Sequence, residues 1–269
     1  MADERLREAG YASCEGGAVL LSGPAAELFG RWRHFLAHRM ASLTDTRVET
    51  PVFIDHHVLT TSKYVAHFPQ QVFVGRGYRA PRSRPRFLTP AACLAWYGSL
   101  EGTAVANDHL SAFVVGPCAR VEGGRVAFPY RLSGFHMAEL VVVGAARSVD
   151  EEASAIEPML AESFRGLGIG GGFRAATDAF FLPSSRGARL MQQLKDLKRE
   201  FVSPLDGHDI ALASINRHED FFARAFRITL ASGAPAHSFC VAFGLERLTA
   251  AGLLTWGPDP AQWPKALPG

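Results

Sequence analysis

The chain has 269 residues, of which 48% are hydrophobic and 20% are charged, and its formal net charge is +2 at pH 7. This length and apolar content suffice for one large domain with a real core. The balanced charge, without a long basic tract, argues against double-stranded nucleic acid as a partner. Neither an uncharged apolar run of about 18 residues nor a signal-peptide pattern is present, so we expect a soluble cytoplasmic protein without membrane contact.

The chain contains four widely spaced cysteines and no CxxC pair. They are Cys14, Cys93, Cys118 and Cys240. In a reducing compartment a disulfide framework is not expected. The residues alone leave two interpretations open: free buried cysteines, or scattered metal ligands.

The first third of the chain predicts two helices around a strand and a basic loop. Apolar residues recur at helical spacing over residues 24–43, and a polar break precedes a strand at 51–54. Residues 75–90 are expected to form an arginine-rich loop punctuated by proline and glycine. Residues 88–97 predict a helix with Pro90 near its start.

The middle of the chain predicts a hairpin followed by two helices. Residues 111–122 and 132–144 read as antiparallel strands, with a connection that begins at 123–125. A capping-box pattern opens a helix over residues 148–165. A further helix is expected over residues 186–201.

The C-terminal part predicts short strands and a closing helix. Strands are expected at 209–216, 226–230 and 238–243, a turn or short helix at 217–225, and a helix at 246–255. Helices and strands mix without regular βαβ alternation, which predicts an α+β fold with a mostly antiparallel sheet. We expect a single domain over residues 1–269, with a short N-terminal extension at 1–23.

Charged residues on the predicted hairpin need an explanation. With a period of two, Cys118, Arg120 and Glu122 share one side of the first strand, and Phe135 and Glu139 share one side of the second. Buried charges are costly unless they are paired or liganded. The face is therefore either a solvated surface with an Arg120–Glu122 ion pair or a ligand-binding surface.

A second pattern lies near the C-terminus. Cys240 stands in an apolar strand-like run, Gly244 ends that run, and Arg247 lies in the first turn of the following helix. Glycine allows a flat ligand to approach the backbone, and a guanidinium offers planar contacts to phosphate. This junction suits a phosphate clamp.

These patterns resemble the class II aminoacyl-tRNA synthetases. The Arg120-Val121-Glu122 segment resembles motif 2, residues 244–247 resemble motif 3, and the helix, break and strand around Pro51 resemble motif 1. More narrowly, the chain is similar to the amino acid:[carrier protein] ligases, homologues of atypical zinc-dependent seryl-tRNA synthetases. That similarity extends over four segments: 88–97, 133–144, 214–222 and 237–248. It implies an antiparallel sheet flanked by helices.

The resemblance implies a metal site. In that family a cysteine, a glutamate and a second cysteine hold zinc, and the matching residues here are Cys93, Glu139 and Cys240. Two thiolates and a carboxylate leave a fourth position open, which in the family takes the substrate's amino group. Cys118 and Cys14 are not expected to be ligands.

The resemblance also implies an ATP site with two catalytic arginines. Arg120 would hold the α-phosphate, and Arg247 would lie on the opposite face of the adenine or at the γ-phosphate. Glu122 would accept from the adenine amino group, and Phe135 would stack on the ring. Glu200 is a candidate Mg²⁺ or ATP ligand, with an exposed helix carboxylate as the alternative.

Further residues are candidates for the amino-acid pocket. Besides Glu139, these are Asn216, His218 and Ala242. A lone histidine is more often structural, so both interpretations of His218 stay open. The family usually has glycine where Ala242 stands, so its methyl group is expected to affect substrate specificity.

Two weaker signals remain. Residues 166–171 match GxGxxG but follow a helix rather than a strand, which favours a helix end and loop over a dinucleotide site. The arginines of residues 76–86 are either a solvated loop or a patch that steers an acidic carrier protein.

The resemblance implies an ATP-dependent ligase. It would activate a small amino acid, glycine or alanine, as the adenylate and transfer it to the phosphopantetheine thiol of a carrier protein. Motif 1 implies a homodimer. Two alternatives stay open: a seryl-tRNA synthetase-like enzyme, disfavoured by the near-neutral charge, and a catalytically silent amino-acid-binding paralogue.

Overall fold

The computed structural model describes residues 2–79, 82–122, 128–176 and 196–267. The described helices are α1 Ala2–Glu8, α2 Gly23–Met40, α3 His56–Thr61, α4 Tyr64–His67, α5 Ala92–Ser99, α6 Ala146–Gly166, α7 Phe221–Phe226 and α8 Leu245–Trp256. The described strands are β1 Tyr11–Ser13, β2 Val19–Leu21, β3 Thr46–Glu49, β4 Phe53–Ile54, β5 Val74–Gly75, β6 Arg86–Leu88, β7 Ala104–Val105, β8 His109–Ala119, β9 Gly134–Gly144, β10 Gly172–Ala175, β11 Lys198–Leu205, β12 His208–Glu219, β13 Thr229–Leu230 and β14 His237–Gly244.

A seven-stranded sheet organises the fold. Its strand order is β10-β11-β12-β14-β9-β8-β3. The neighbouring strands pair antiparallel except at the edge, where β3 runs parallel to β8. The predicted α+β class with a mostly antiparallel sheet is therefore confirmed.

Side chains of β14 point alternately into two different apolar clusters. Phe239, Val241 and Phe243 point into the main apolar core, with residues of α2, α6 and α8. Cys240 points the other way, into a smaller cluster that includes Cys93 of α5. Because side chains of a strand alternate between its two faces, one strand both anchors the fold and presents a thiol to the site.

Tight packing holds the closing helix in place. The rings of Trp32 on α2 and Trp256 on α8 stack with centroids 5.8 Å apart. Gly252 of α8 faces Leu28 of α2, and an added Cβ there would be 2.8 Å from Leu28 and 2.6 Å from the Trp256 ring of the same helix. The start of α8, which carries Arg247, therefore sits on a rigid support.

The predicted helix at 186–201 is wrong where the structure describes it. Residues 198–201 belong to β11, which pairs along its length with β12. Phe201, Ser203 and Leu205 are buried alternately with more exposed neighbours. Pairing within the sheet overrides the helical propensity of the local sequence. Residues 186–195 of that prediction lie outside the described residues.

Other boundaries shift by a few residues. β8 ends at Ala119, so Arg120 and Glu122 lie beyond the strand rather than on its face. α6 begins at Ala146, and Ser148, expected as its cap, instead hydrogen-bonds Glu152 inside the helix. β3 lies within the segment expected to be a polar break.

The C-terminal boundaries also differ. β12 continues to Glu219, so the turn or helix expected over 217–225 becomes a strand end followed by α7. The strand expected at 226–230 is reduced to Thr229–Leu230. The connection predicted at 123–125 lies outside the described residues. In the part of the chain that is described, no helix combines the length and apolarity needed to cross a membrane.

Candidate active site

Three buried side chains form a compact donor cluster. The ligand atoms of Cys93, Glu139 and Cys240 all lie within 4.8 Å of one another. They come from the first turn of α5, from β9 and from β14, and the register places Ala242 of β14 opposite Glu139. The structure thus brings together the three residues expected to be ligands.

The carboxylate of Glu139 is held at the N-terminus of α5. Its Oε1 accepts hydrogen bonds from the backbone N–H groups of Ala92, at 2.9 Å, and Cys93, at 3.2 Å. The unpaired N–H groups and dipole of a helix start favour an anion there. Burial, followed by the charge of Cys240, nevertheless raises the pKa of Glu139 to about 7. A cation beside this group would compensate its buried charge.

The two thiols are inequivalent. The hydrogen bond that they share lowers the pKa of Cys240 and raises the pKa of Cys93. Cys240 is therefore the more acidic thiol of the pair. Two sulfur donors and one carboxylate oxygen in a buried pocket suit Zn²⁺, which binds cysteine and carboxylate in four-coordinate sites.

The remaining cysteines stand apart from the cluster. Cys118 is buried, its Sγ lies 4.0 Å from the carbonyl oxygen of Gly116, and burial raises its pKa. Cys14 is exposed. Neither belongs to the group of mutually close donor atoms found among the described residues.

Two polar side chains of β12 contact the Cys240 sulfur. The Nδ2 of Asn216 lies 3.5 Å from Sγ, and the Nε2 of His218 lies 3.7 Å from it. The other ring nitrogen of His218 is 3.1 Å from the hydroxyl of Tyr97. From the sequence, Asn216 and His218 were candidates for a substrate pocket. Tyr97 was missed, because it lies in an apolar helical segment whose sequence does not indicate contact with a histidine far along the chain.

Arg120 is fixed beside an aromatic ring. Its Nε donates to the carbonyl oxygen of Pro90 at 2.7 Å, and its guanidinium carbon lies 5.3 Å from the centroid of Phe135. That distance is within the range of a cation–π contact. The register of β8 and β9 places Phe135 opposite Cys118. Arg120 and Phe135, both expected in the ATP site, are thus neighbours.

Arg247 is oriented by the backbone. Its Nε donates to the carbonyl of Tyr130 at 2.7 Å and its Nη1 to that of Ala211 at 3.1 Å. Burial and then the charge of Arg120 lower its pKa, while the charges of Glu200 and Glu122 oppose that shift. Two guanidinium groups that repel each other favour an anion nearby.

Both acidic candidates for the ATP site lie close to a basic side chain. Glu122 is 3.4 Å from the Nε of Arg131, and Glu200 is 3.2 Å from the Nζ of Lys198. Glu200 lies on a strand, which removes the alternative of an exposed helix carboxylate. Ser214, opposite Glu200 on β12, also pairs with Ala242 in the register.

A buried carboxylate that the sequence analysis did not single out joins two elements of the site. Glu246 is 3% exposed. Its Oε2 accepts a hydrogen bond from the backbone N–H of His136 at 2.8 Å, and its Oε1 lies 2.7 Å from the ring Nδ1 of the same residue. This contact ties β9 to the first turn of α8, one residue before Arg247. An acidic residue in the first turn of an otherwise apolar helix was the available signal.

No protein-family model matches the chain. Over 184 residues it is 34% identical to amino acid--[acyl-carrier-protein] ligase 2 of Bradyrhizobium diazoefficiens, which covers 67% of this chain and 54% of that protein. Ligase 1 of the same organism is 31% identical over 180 residues, covering 66% and 55%. A type-2 serine--tRNA ligase of Methanothrix thermoacetophila is 27% identical over 179 residues, covering 65% and 36%. The chain spans little more than half the length of the two carrier-protein ligases.

Solved structures agree on the fold. The structure of M. kandleri seryl-tRNA synthetase with A. aeolicus tRNASec matches with a TM-score of 0.82 at 20% identity, covering 99% of this chain and 59% of that chain. Seryl-tRNA synthetase from Pyrococcus horikoshii complexed with ATP matches with a TM-score of 0.74 at 16% identity, covering 95% and 58%. The expected class II synthetase fold is confirmed.

Proposed function

Because the chain is a relative of the amino acid--[acyl-carrier-protein] ligases and has the class II synthetase fold, we propose that it activates an amino acid with ATP. The aminoacyl group then passes to the phosphopantetheine thiol of a carrier protein. The observation that carries this proposal is the buried Cys93–Glu139–Cys240 cluster beside two clustered arginines.

In this proposal Cys93, Glu139 and Cys240 hold Zn²⁺. When bound, the ion supplies Lewis acidity and an open coordination position for the amino group of the substrate. The methyl group of Ala242 lies across from Glu139 and reduces the space beside it. This placement favours a small side chain, glycine or alanine, as the substrate.

The ATP end of the site is assigned to Arg120, Arg247, Phe135 and Glu122. A carboxylate oxygen of the amino acid attacks the α-phosphorus, and the bond from that phosphorus to the pyrophosphate oxygen breaks. The two guanidinium groups stabilise the charge that develops on the phosphate oxygens. Phe135 stacks on adenine and Glu122 accepts from its amino group, while Glu200 is the candidate ligand of Mg²⁺.

The thiol of the carrier then attacks the carbonyl carbon of the adenylate. The bond to the phosphate oxygen breaks, AMP leaves, and the thiol proton passes to solvent. Five arginines near β5 and β6 are exposed: Arg76, Arg79, Arg82, Arg84 and Arg86. Their charge is suited to steer an acidic carrier protein. We include a homodimer in the proposal on the basis of motif 1.

Pyrophosphate exchange with a panel of amino acids tests the activation step. It is run on metal-replete and chelated protein, and intact-mass analysis of a phosphopantetheinylated carrier follows. Exchange with a small amino acid and a matching mass increase on the carrier are expected. Metal-replete protein that is inactive with every amino acid refutes the proposal, and charging of tRNA in place of the carrier redirects it to tRNA.

A double charge reversal tests the carrier patch. Arg82→Glu with Arg84→Glu should lower carrier loading at low salt, with pyrophosphate exchange unchanged, because steering acts on encounter rather than on activation. Unchanged loading at low salt removes the patch from the proposal.

A further inference from the structure

His218 lies outside the donor cluster but within hydrogen-bond distance of one member. Its Nε2 is 3.7 Å from the Sγ of Cys240, and its Nδ1 is 3.1 Å from the hydroxyl of Tyr97 and 3.4 Å from that of Ser238. Its ring nitrogen is not among the donor atoms that lie within 4.8 Å of one another in the described residues. The ring is thus placed to contact a ligand rather than to be one.

The hydroxyl of Tyr97 is placed to donate a hydrogen bond to the Nδ1 of His218. A phenol is protonated at neutral pH and can donate to Nδ1. In a neutral imidazole one ring nitrogen accepts and the other donates, so a donor at Nδ1 leaves the Nε2–H to point at sulfur.

Aromatic packing fixes the plane of the imidazole. The ring of Phe222 stacks on Tyr97, with centroids 4.6 Å apart, and meets His218 edge to face at 4.7 Å. Tyr97, Phe222 and His218 therefore form one packed unit. Its polar end lies against Cys240.

We infer that His218, oriented by Tyr97, is a positioning residue that donates a hydrogen bond to the Cys240 thiolate and strengthens metal binding. The inference rests on the metal centre of the proposed function. Two thiolates and a carboxylate bring three negative charges to a dication, so a donor that spreads the charge of one thiolate stabilises the set. Glu139 has such donors in two backbone N–H groups. Cys240 has them in Asn216 and His218.

Metal affinity, measured without substrate, tests the inference. Zn²⁺ is titrated in competition with a chromophoric chelator, and Co²⁺ is used to record the thiolate-to-metal charge-transfer absorption. His218→Phe keeps a ring but removes the donor, and we expect about 10- to 100-fold weaker binding, as is typical when a group that supports a ligand is lost. His218→Gln, which retains an N–H donor, should recover most of the affinity.

A second variant and a matched control complete the experiment. Tyr97→Phe keeps the stacking on Phe222 and loses only the hydroxyl, so it should weaken binding by less than His218→Phe and shift the Co²⁺ absorption in the same direction. His57 lines the same surface cleft of about 780 Å³ as His218 and is paired with Glu101. His57→Phe should bind zinc as the wild type does.

The outcomes separate this inference from the proposed function. If Cys93→Ser strongly weakens zinc binding while His218→Phe and Tyr97→Phe match the wild type, only the inference is overturned. X-ray absorption that finds imidazole bound to zinc in the wild type also overturns it, because His218 is then a ligand. A wild-type protein that binds no zinc overturns the metal centre and the inference together.

Discussion

Serine substitutions at three buried cysteines separate metal ligands from ordinary core residues. Cys93 and Cys240 belong to the donor cluster, whereas Cys118 lies outside it although it is equally buried. We expect Cys93→Ser and Cys240→Ser to lose the metal and the pyrophosphate exchange, and Cys118→Ser to keep both.

The size of the effect follows from the number of donors. Structural zinc sites bind with roughly 10–16 kcal/mol, or about 2.5–4 kcal/mol for each of four ligands. At about 1.4 kcal/mol per factor of ten, loss of one thiolate weakens binding by roughly 10²- to 10³-fold. Cys118→Ser instead places a hydroxyl in an apolar cluster at a cost of about 1–3 kcal/mol of stability.

Two measurements on each variant are sufficient. Metal content after dialysis reports binding, and chemical denaturation of the metal-free proteins reports stability. Metal loss confined to the Cys118 variant would refute the assignment of the ligands. Equal metal loss in all three variants would show that these serines act through the fold rather than through coordination.

Three further predictions concern specificity, the ATP site and packing. Ala242→Gly should admit larger amino acids. The rate of pyrophosphate exchange with alanine relative to glycine should rise by about 10-fold or more, since one methylene in a pocket is worth about 1–3 kcal/mol. An unchanged ratio places Ala242 outside the pocket. Arg247→Lys should lower pyrophosphate exchange by roughly 10²-fold, because a lysine cannot reproduce the planar donors that the guanidinium directs; exchange at the wild-type rate contradicts that role. Gly252→Ala should lower the free energy of unfolding by about 1–2 kcal/mol, measured by chemical denaturation. A Cβ at 2.6 Å from the Trp256 ring costs about 1–3 kcal/mol, which outweighs a helix-propensity gain of up to about 1 kcal/mol. A more stable variant would contradict the tight packing.

The strand predictions succeeded where apolar residues run continuously. β9 and β14 are buried on both faces over most of their length, and both lie close to the predicted boundaries. Residues 186–201 show the limit of this reasoning. Charged and leucine residues predict a helix there, but β12 offers backbone hydrogen bonds that make residues 198–205 a strand. Local propensity cannot report a partner that is distant in sequence.

The donor cluster was predicted from resemblance rather than from spacing. Cys93 and Cys240 belong to different elements, and no local pattern links them to Glu139. Tyr97 and Glu246 were missed for the same reason. Tyr97 contacts His218 and Glu246 contacts His136, and both contacts exist only once the sheet has formed. For Arg120 the strand was predicted too long, and the structure places its Nε against the backbone carbonyl of Pro90.

The wide separation of positions 93, 139 and 240 links occupancy of the cluster to the folding equilibrium. An unfolded chain does not hold these three atoms within 4.8 Å, so a metal ion bound there stabilises the native state by mass action. At a free concentration one hundred times Kd the gain is about 2.7 kcal/mol. The melting temperature should therefore rise with metal concentration, and a thermal scan becomes a substrate-free measure of metal occupancy. In a metal-starved cell the same linkage would reduce the amount of folded protein as well as its activity.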